Sequence, residues 1–171
     1  ARQILGHYLV RRIPGGIAGG LIVEAEAYLA DDPACHGYKR EPPRNRSMYG
    51  PPGRAYVYFI YGKHHCFNAV CHAPGVPEAV LIRAIEPVFG LEWMRARRPG
   101  FKPPHLTNGP GKLCAALEIG REMDGADLCQ PDGAVFLAAN PDLTRTRRKW
   151  GPVQITPRIG ISLAADLPLR F

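Results

Sequence analysis

The chain has 171 residues, 46% of them apolar, with 19 glycines, 18 prolines and a formal net charge of +7. So many breakers exclude a helical bundle, the apolar share excludes a disordered chain, and glycines without a three-residue period exclude a collagen. The length suits one domain with a substantial core, and the basic balance points to a polyanionic partner or to plain solubility.

The opening residues, ARQILGHYLVRR, lack the pattern of a secretory signal, and no apolar run approaches the roughly 18 residues of a membrane span. Residues 8–12 (YLVRR) and 20–29 (GLIVEAEAYL) read as strands joined through Pro14-Gly15-Gly16, as in a hairpin. Strict alternation along the second strand places Ile22, Glu24, Glu26 and Tyr28 on one face and Val23, Ala25, Ala27 and Leu29 on the other. One face is then core, and the other presents two carboxylates and a phenol. Between 30 and 53, five prolines and three glycines predict a long irregular connection, and loops of that length in a compact domain tend to be functional.

Residues 54–61 (RAYVYFIY) form the most strand-like run, with Tyr56 and Tyr58 on one face and Val57 and Phe59 on the other. Phe59 and Phe67 read as core, whereas Tyr61, just before Gly62 at a hairpin tip, has less reason to be buried. Strands follow at 66–71 and 78–86, the latter placing Leu81, Arg83 and Ile85 on a common face. A helix is predicted over 89–97, and a second opens at Asn108-Gly109-Pro110, whose chemistry suits a cap and first turn. Short strands at 134–139 and 155–162 complete the set. Hairpins with a few helices and no βαβ alternation predict an α+β fold, a single domain over 1–171 around a curved, mostly antiparallel sheet.

The basic residues are clustered, which is what phosphate neutralisation requires, although a solvated loop face has the same composition. Lys39, Arg40, Arg44, Arg46 and Arg54 mark the long connection, Arg95, Arg97, Arg98 and Lys102 follow the first helix, and Arg145, Arg147, Arg148 and Lys149 lie near the end. Tyrosines flanked by Arg54 and Lys63 suit stacking on bases or wedging into a duplex. Glu24 and Glu26 cannot both be cheaply desolvated, and one kept ionised in an aromatic pocket is a candidate general base toward water. Arg83, in an otherwise apolar strand, needs a carboxylate partner that those glutamates can supply. Five scattered cysteines read as reduced thiols. Cys35-His36 and Cys71-His72 are neighbouring pairs, but the sequence has no CxxC, HxxxH or zinc-deaminase element, no Walker loop, and neither GxGxxG nor GxSxG.

Four stretches together resemble the alkyladenine (3-methyladenine) DNA glycosylase family: IVEAEAY at 22–28, PRNRSMYGPPGRAYVYFIYG at 43–62, VLIRAIEP at 80–87 and NGPGKLCAAL at 108–117. The resemblance implies a monofunctional hydrolase that removes damaged purines from double-stranded DNA, needing neither cofactor nor metal. It implies that Glu26 is the general base and that Arg83 lies beside the catalytic water. Tyr28, His36 and Tyr58 match the walls that stack a flipped base, Asn68 and Leu81 match pocket residues that reject normal guanine by shape, and Tyr61 matches the residue that fills the vacated position. Arg44, Arg46 and Lys63 are then expected on the DNA backbone. The implied protein is a monomer located with the cell's DNA, in bacterial cytoplasm or a eukaryotic nucleus, and not secreted, with both ends read as trimmed or short. Gly62-Lys63-His64-His65 departs from the apolar and aromatic residues of mammalian members. A noncatalytic nucleic-acid-binding module of related fold is the alternative.

Overall fold

The computed structural model describes residues 1–39 and 41–171; Arg40 of the first basic cluster lies outside the described residues. Six strands form one sheet: β1 (Tyr8–Ile13), β2 (Gly16–Tyr28), β3 (Ala55–Ile60), β4 (His64–Val70), β5 (Ala79–Phe89) and β6 (Val135–Ala138). Their order is β3-β4-β5-β2-β1-β6, and every neighbouring pair is antiparallel. Helices α1 (Leu91–Arg97), α2 (Pro103–Leu106) and α3 (Pro110–Leu117) supply Met94, Leu106, Leu113 and Leu117 to the main core, which they share with Ala18, Ile22, Val57, Phe67 and Ile82 of the sheet. A smaller cluster of Cys35, Met48, Tyr56, Val70 and Ala79 joins the long connection to the sheet. Each face of this part of the sheet thus carries its own apolar layer, as an α+β fold requires.

Strict alternation fails at the centre of the sheet, and the failure is informative. Ile22 pairs with Ile85, Glu24 with Ala84 and Ala25 with Ile82, so the register shifts on both sides of Glu24. Val23 on β2 and Arg83 on β5 are the extra residues. A bulge inserts one residue and reverses which face the following side chains take. Ile22 therefore joins the core with Ala25, while Glu24 and Glu26 lie on the opposite face; Ile85 likewise joins the core, away from Leu81 and Arg83. The common faces expected from simple alternation, Ile22 with Glu24 and Leu81 with Ile85, are corrected accordingly.

Two further expectations change. Phe59 is not core: it is 56% exposed, because β3 runs past the edge of the apolar layer, and its ring tilts against His65 at 5.1 Å. Residues 155–162 are not a strand. Pro157 removes a backbone donor and Gly160 turns the chain at φ 81°, leaving only an isolated bridge between Thr156 and Arg170. The free edge of β2 is covered instead by the last residues, through Ala25 N–H to Phe171 O at 2.9 Å, the reciprocal bond at 2.9 Å, and Ala27 N–H to Leu169 O at 2.9 Å. Finally, the last basic cluster lies on a helix, α4 (Leu143–Trp150). None of its residues is fully buried, so no apolar periodicity announces it; Arg147 instead ties it down by donating to the carbonyls of Gln3 and Leu5.

Candidate active site

The sheet register builds the site directly. Tyr56 on β3 lies opposite Asn68 on β4, Asn68 opposite Leu81 on β5, and Leu81 opposite Glu26 on β2. Directly opposed side chains share a face, so these four residues form one transverse row across four strands. Residues two positions along continue that face: Tyr58 with its partner Cys66, Arg83, and Tyr28.

Glu26 is completely buried and three donors converge on it. The Ile159 N–H donates to Oε1 at 2.9 Å, Arg83 Nη1 lies 3.2 Å from the same oxygen, and the Tyr28 hydroxyl donates to Oε2 at 3.0 Å. Arg83 also donates through Nε to Glu24 at 2.9 Å, and Glu24 accepts from Arg170 at 3.0 Å. The two carboxylates are therefore held by two guanidinium groups, which compensates the burial of Glu26. A carboxylate has about four acceptor positions, so three donors leave Oε2 with one to spare.

Above this network is a cavity of about 290 Å³ whose lining includes Tyr28, Tyr58, His36, Leu81, Arg83 and Ile159. Glu26 itself is not part of the lining; all three of its donors are. Burial, then the neighbouring Glu26 charge, pushes the Tyr28 hydroxyl far above its ordinary pKa. Burial likewise raises Tyr56 and Tyr58, so the phenols are neutral donors at physiological pH. Tyr58 and Tyr56 stack at 5.3 Å, and His36 meets Tyr58 edge-on at 4.5 Å. The His36 Nδ1 is hydrogen-bonded to the Tyr56 hydroxyl at 2.8 Å. Crowding against these rings and the charge of Arg44 lower the His36 pKa, which favours a neutral imidazole. Asn68 uses its amide to donate to the Tyr56 carbonyl at 2.9 Å, and Leu81 is buried beside it in the row.

The connection that carries His36 is fixed by side chains outside the expected site residues. Asn45, fully buried within the PRNR stretch, donates to the His36 carbonyl at 2.7 Å, and the Tyr49 hydroxyl donates to the Gly37 carbonyl at 2.8 Å. The Cys35 thiol donates to Pro77 O at 3.2 Å, and a Cβ on Gly37 would overlap Pro77. The signal for Asn45 lay in the sequence: a side chain with both donors and an acceptor, in a breaker-rich loop, suits the fastening of loop backbone. The Ile159 amide carried no such signal, because a backbone donor reaches a distant carboxylate only through tertiary structure.

Tyr61 and Gly62 form the β3–β4 turn with positive φ, 54° and 67°, closed by Lys63 N–H to Ile60 O at 3.3 Å. Tyr61 is 74% exposed and extends over the mouth of the same cavity. Lys63, Arg44 and Arg46 are exposed nearby on the hairpin and the connection, and Arg46 reaches Glu41 only at 4.0 Å. Hence the structure brings together Glu26, Arg83, Tyr28, His36, Tyr58, Asn68 and Leu81, sets Tyr61 at the rim, and leaves the three cations outside the cavity. All five cysteines are free, and no group of three or more metal-ligating side chains occurs among the described residues. No helix among them is long and apolar enough to cross a membrane.

Known proteins are similar to this sequence along all or nearly all of its length. Residues 1–171 match the family model described as methylpurine-DNA glycosylase. A relative from Francisella tularensis is 46% identical over 171 residues, covering all of this chain and 86% of its own length. One from Methanoculleus marisnigri is 48% identical over 171 residues, again all of this chain and 86% of the relative. One from Rubrobacter xylanophilus is 44% identical over 169 residues, 99% of this chain and 84% of the relative. Each of the three carries 3-methyladenine DNA glycosylase in its name. The chain belongs to the methylpurine-DNA glycosylase family.

Proposed function

We propose that the protein, a DNA repair glycosylase, works on duplex DNA as a monomer, turns a damaged purine nucleotide into the cavity, and releases the base with water activated by Glu26. The observation that carries this reading is the fully buried Glu26 carboxylate, paired with Arg83 and lying beneath a cavity walled by Tyr28, His36 and Tyr58. A module that only binds nucleic acid has no use for a carboxylate held there at such desolvation cost.

In this reading the water donates a hydrogen bond to the remaining acceptor position of Glu26 Oε2 and attacks the anomeric carbon. The bond from that carbon to the purine nitrogen breaks, its electron pair leaves with the base, and Glu26 takes the water's proton. The products are the free base and an abasic sugar. Arg83 holds the carboxylate in place and offsets its charge. Alkylation puts positive charge on the purine, which weakens the glycosidic bond and strengthens stacking on electron-rich tyrosines. Turning the nucleotide out costs a few kcal/mol, less at a damaged pair, so selection begins before chemistry. Asn68 and Leu81 shape the floor against normal guanine, Tyr61 refills the stack, and Arg44, Arg46 and Lys63 hold the backbone. Such an enzyme works where the cell keeps its DNA.

Glu26→Gln keeps the shape and removes the base. It is expected to abolish release of 3-methyladenine from a duplex, at least a thousandfold in single-turnover rate, while duplex affinity changes by less than threefold. Base release at the wild-type rate would sink the mechanism.

A further inference from the structure

Beneath the aromatic walls is a second buried ion pair that the reaction above does not use. The side chains of Arg158 and Asp32 are 0% and 2% exposed. Arg158 pairs with Asp32 through both terminal nitrogens, Nη1 to Oδ2 and Nη2 to Oδ1, and its guanidinium lies 4.7 Å from the centre of the Tyr28 ring. Nη1 donates to the Ala27 carbonyl at 3.0 Å, and Nη2 to the Ala164 carbonyl at 3.2 Å. One planar group thus touches β2 beside Tyr28, the connection that leads to His36, and the C-terminal segment. Asp32 contributes in turn: its Oδ1 accepts from Ala34 N–H at 2.9 Å and its carbonyl from Cys35 N–H at 2.9 Å, turning the chain into His36. The residue after Arg158 is Ile159, whose N–H reaches Glu26.

Arg158 packs against the Tyr28 ring outside the cavity lining, and both its terminal nitrogens are taken up by Asp32 and by the Ala27 and Ala164 carbonyls, so it is placed to act through its neighbours. Its five donors in a fixed fork suit the joining of segments that converge from different directions. A solvated surface loop would need no such pair, since burying both charges is justified only by good geometry and further hydrogen bonds.

We propose that Arg158, clamped by Asp32, is a positioning residue for base release: it sets the Tyr28 ring and, through the adjoining Ile159 N–H, the orientation of the Glu26 carboxylate. This inference rests on reading Glu26 as the general base. A displacement of about 1 Å in such a group costs on the order of a hundredfold in rate. Ground-state stacking is more tolerant, because the tyrosine faces remain.

The test uses the full chain with Arg158→Met, Arg158→Lys and Asp32→Asn, on duplexes carrying whichever of 3-methyladenine, 7-methylguanine, ethenoadenine and hypoxanthine the wild type releases. Single-turnover release, lesion-duplex affinity, active-site titration and thermal unfolding are measured together. Arg158→Met is expected to slow release at least tenfold per active molecule, with affinity changed less than threefold. Arg158→Lys keeps the charge but cannot span Asp32, Ala27 and Ala164, so it should stay within threefold of the methionine variant. Asp32→Asn keeps volume and one acceptor, and should give an intermediate loss; it decides the question if the methionine variant does not fold. Wild-type rates in active molecules, a loss explained by a smaller active fraction alone, or full rescue by lysine would each overturn the proposal. A wild type that releases no base, or an undiminished Glu26→Gln, refutes the general-base reading instead.

Discussion

At the scale of single residues, the site is governed by how its charges are compensated. Arg83 serves Glu26 and Glu24 together, and among the described residues Glu24 alone of the two pairs with a second guanidinium, that of Arg170. Removing Arg83 therefore leaves Glu26, among the described residues, as a buried carboxylate without a salt-bridge partner, although the Arg158 guanidinium behind Tyr28 still lies in its field. Breaking such a pair costs about 3–5 kcal/mol, whereas deleting both charges is far cheaper. Arg83→Met should lower unfolding free energy by about 3 kcal/mol in urea, and adding Glu26→Gln should restore at least about 1 kcal/mol of it. A double variant no more stable than Arg83→Met would show that the pair is not energetically coupled. His36 sets a pH dependence of definite sign. Its lowered pKa keeps the imidazole neutral at pH 7, and protonation as the pH falls places a cation on the wall that faces a cationic base. Affinity of the Glu26→Gln protein for a 7-methylguanine duplex should be level from pH 8 to about 6.5 and weaken below that range. His36→Gln should flatten the acid limb, and an unchanged limb would place the titration elsewhere. These partnerships were partly legible in sequence: a lone arginine in an apolar strand near two glutamates states the need for pairing. Which glutamate would be sealed was not legible, because that depends on Ile159, Arg170 and the bulge.

At the scale of elements, the sequence marked strands and turns well where breakers bound apolar runs, and poorly where tertiary contacts override local pattern. The β3–β4 hairpin was legible because Tyr61-Gly62 interrupts two alternating runs. The bulge at Val23 was not, since IVEAEAY alternates plausibly through it and only the opposing strand reveals the extra residue. Residues 155–162 have strand-like composition, yet Pro157 and Gly160 exclude a continuous ladder. The hairpin turn offers a test that separates folding from function. A bulky residue in the left-handed region costs about 1–2 kcal/mol, and glycine removes that cost while losing roughly 0.5–1 kcal/mol in chain entropy. Tyr61→Gly should thus leave stability unchanged or raise it by up to about 1.5 kcal/mol, measured by thermal unfolding. The same change removes the exposed ring at the cavity mouth and should weaken capture of an extrahelical base, read as loss of fluorescence from a flipped reporter. A strained residue that can be relieved without loss of base capture would have no role in filling the stack.

At the scale of the whole molecule, the +7 charge matters through its placement. Arg44, Arg46 and Lys63 surround the hairpin edge of the sheet, where β3 and β4 lie, whereas Arg145, Arg148 and Lys149 are exposed on α4, which follows β6 at the opposite end of the strand order. Five strand spacings of about 4.8 Å separate the two edges along the sheet, so the two clusters sit on different parts of the surface. Two triple variants, Arg44→Gln/Arg46→Gln/Lys63→Gln and Arg145→Gln/Arg148→Gln/Lys149→Gln, each lower the net charge by the same three units. If long-range net charge governed binding, both would weaken DNA affinity equally. If phosphate contacts at the hairpin edge govern it, only the first triple reduces the counterion release on binding. Each lost phosphate contact lowers the slope of log K against log salt by about 0.9 on a duplex. The first triple should flatten that slope by about 2–3, and the second should leave it within about 0.5 of wild type. Arg46 pairs with Glu41, but that contact is long at 4.0 Å and 86% of its side chain is open to solvent, so the pairing competes little with a phosphate. Equal slopes for the two triples would move the DNA footprint off the hairpin edge, and with it the case for Tyr61 as the residue that enters the duplex.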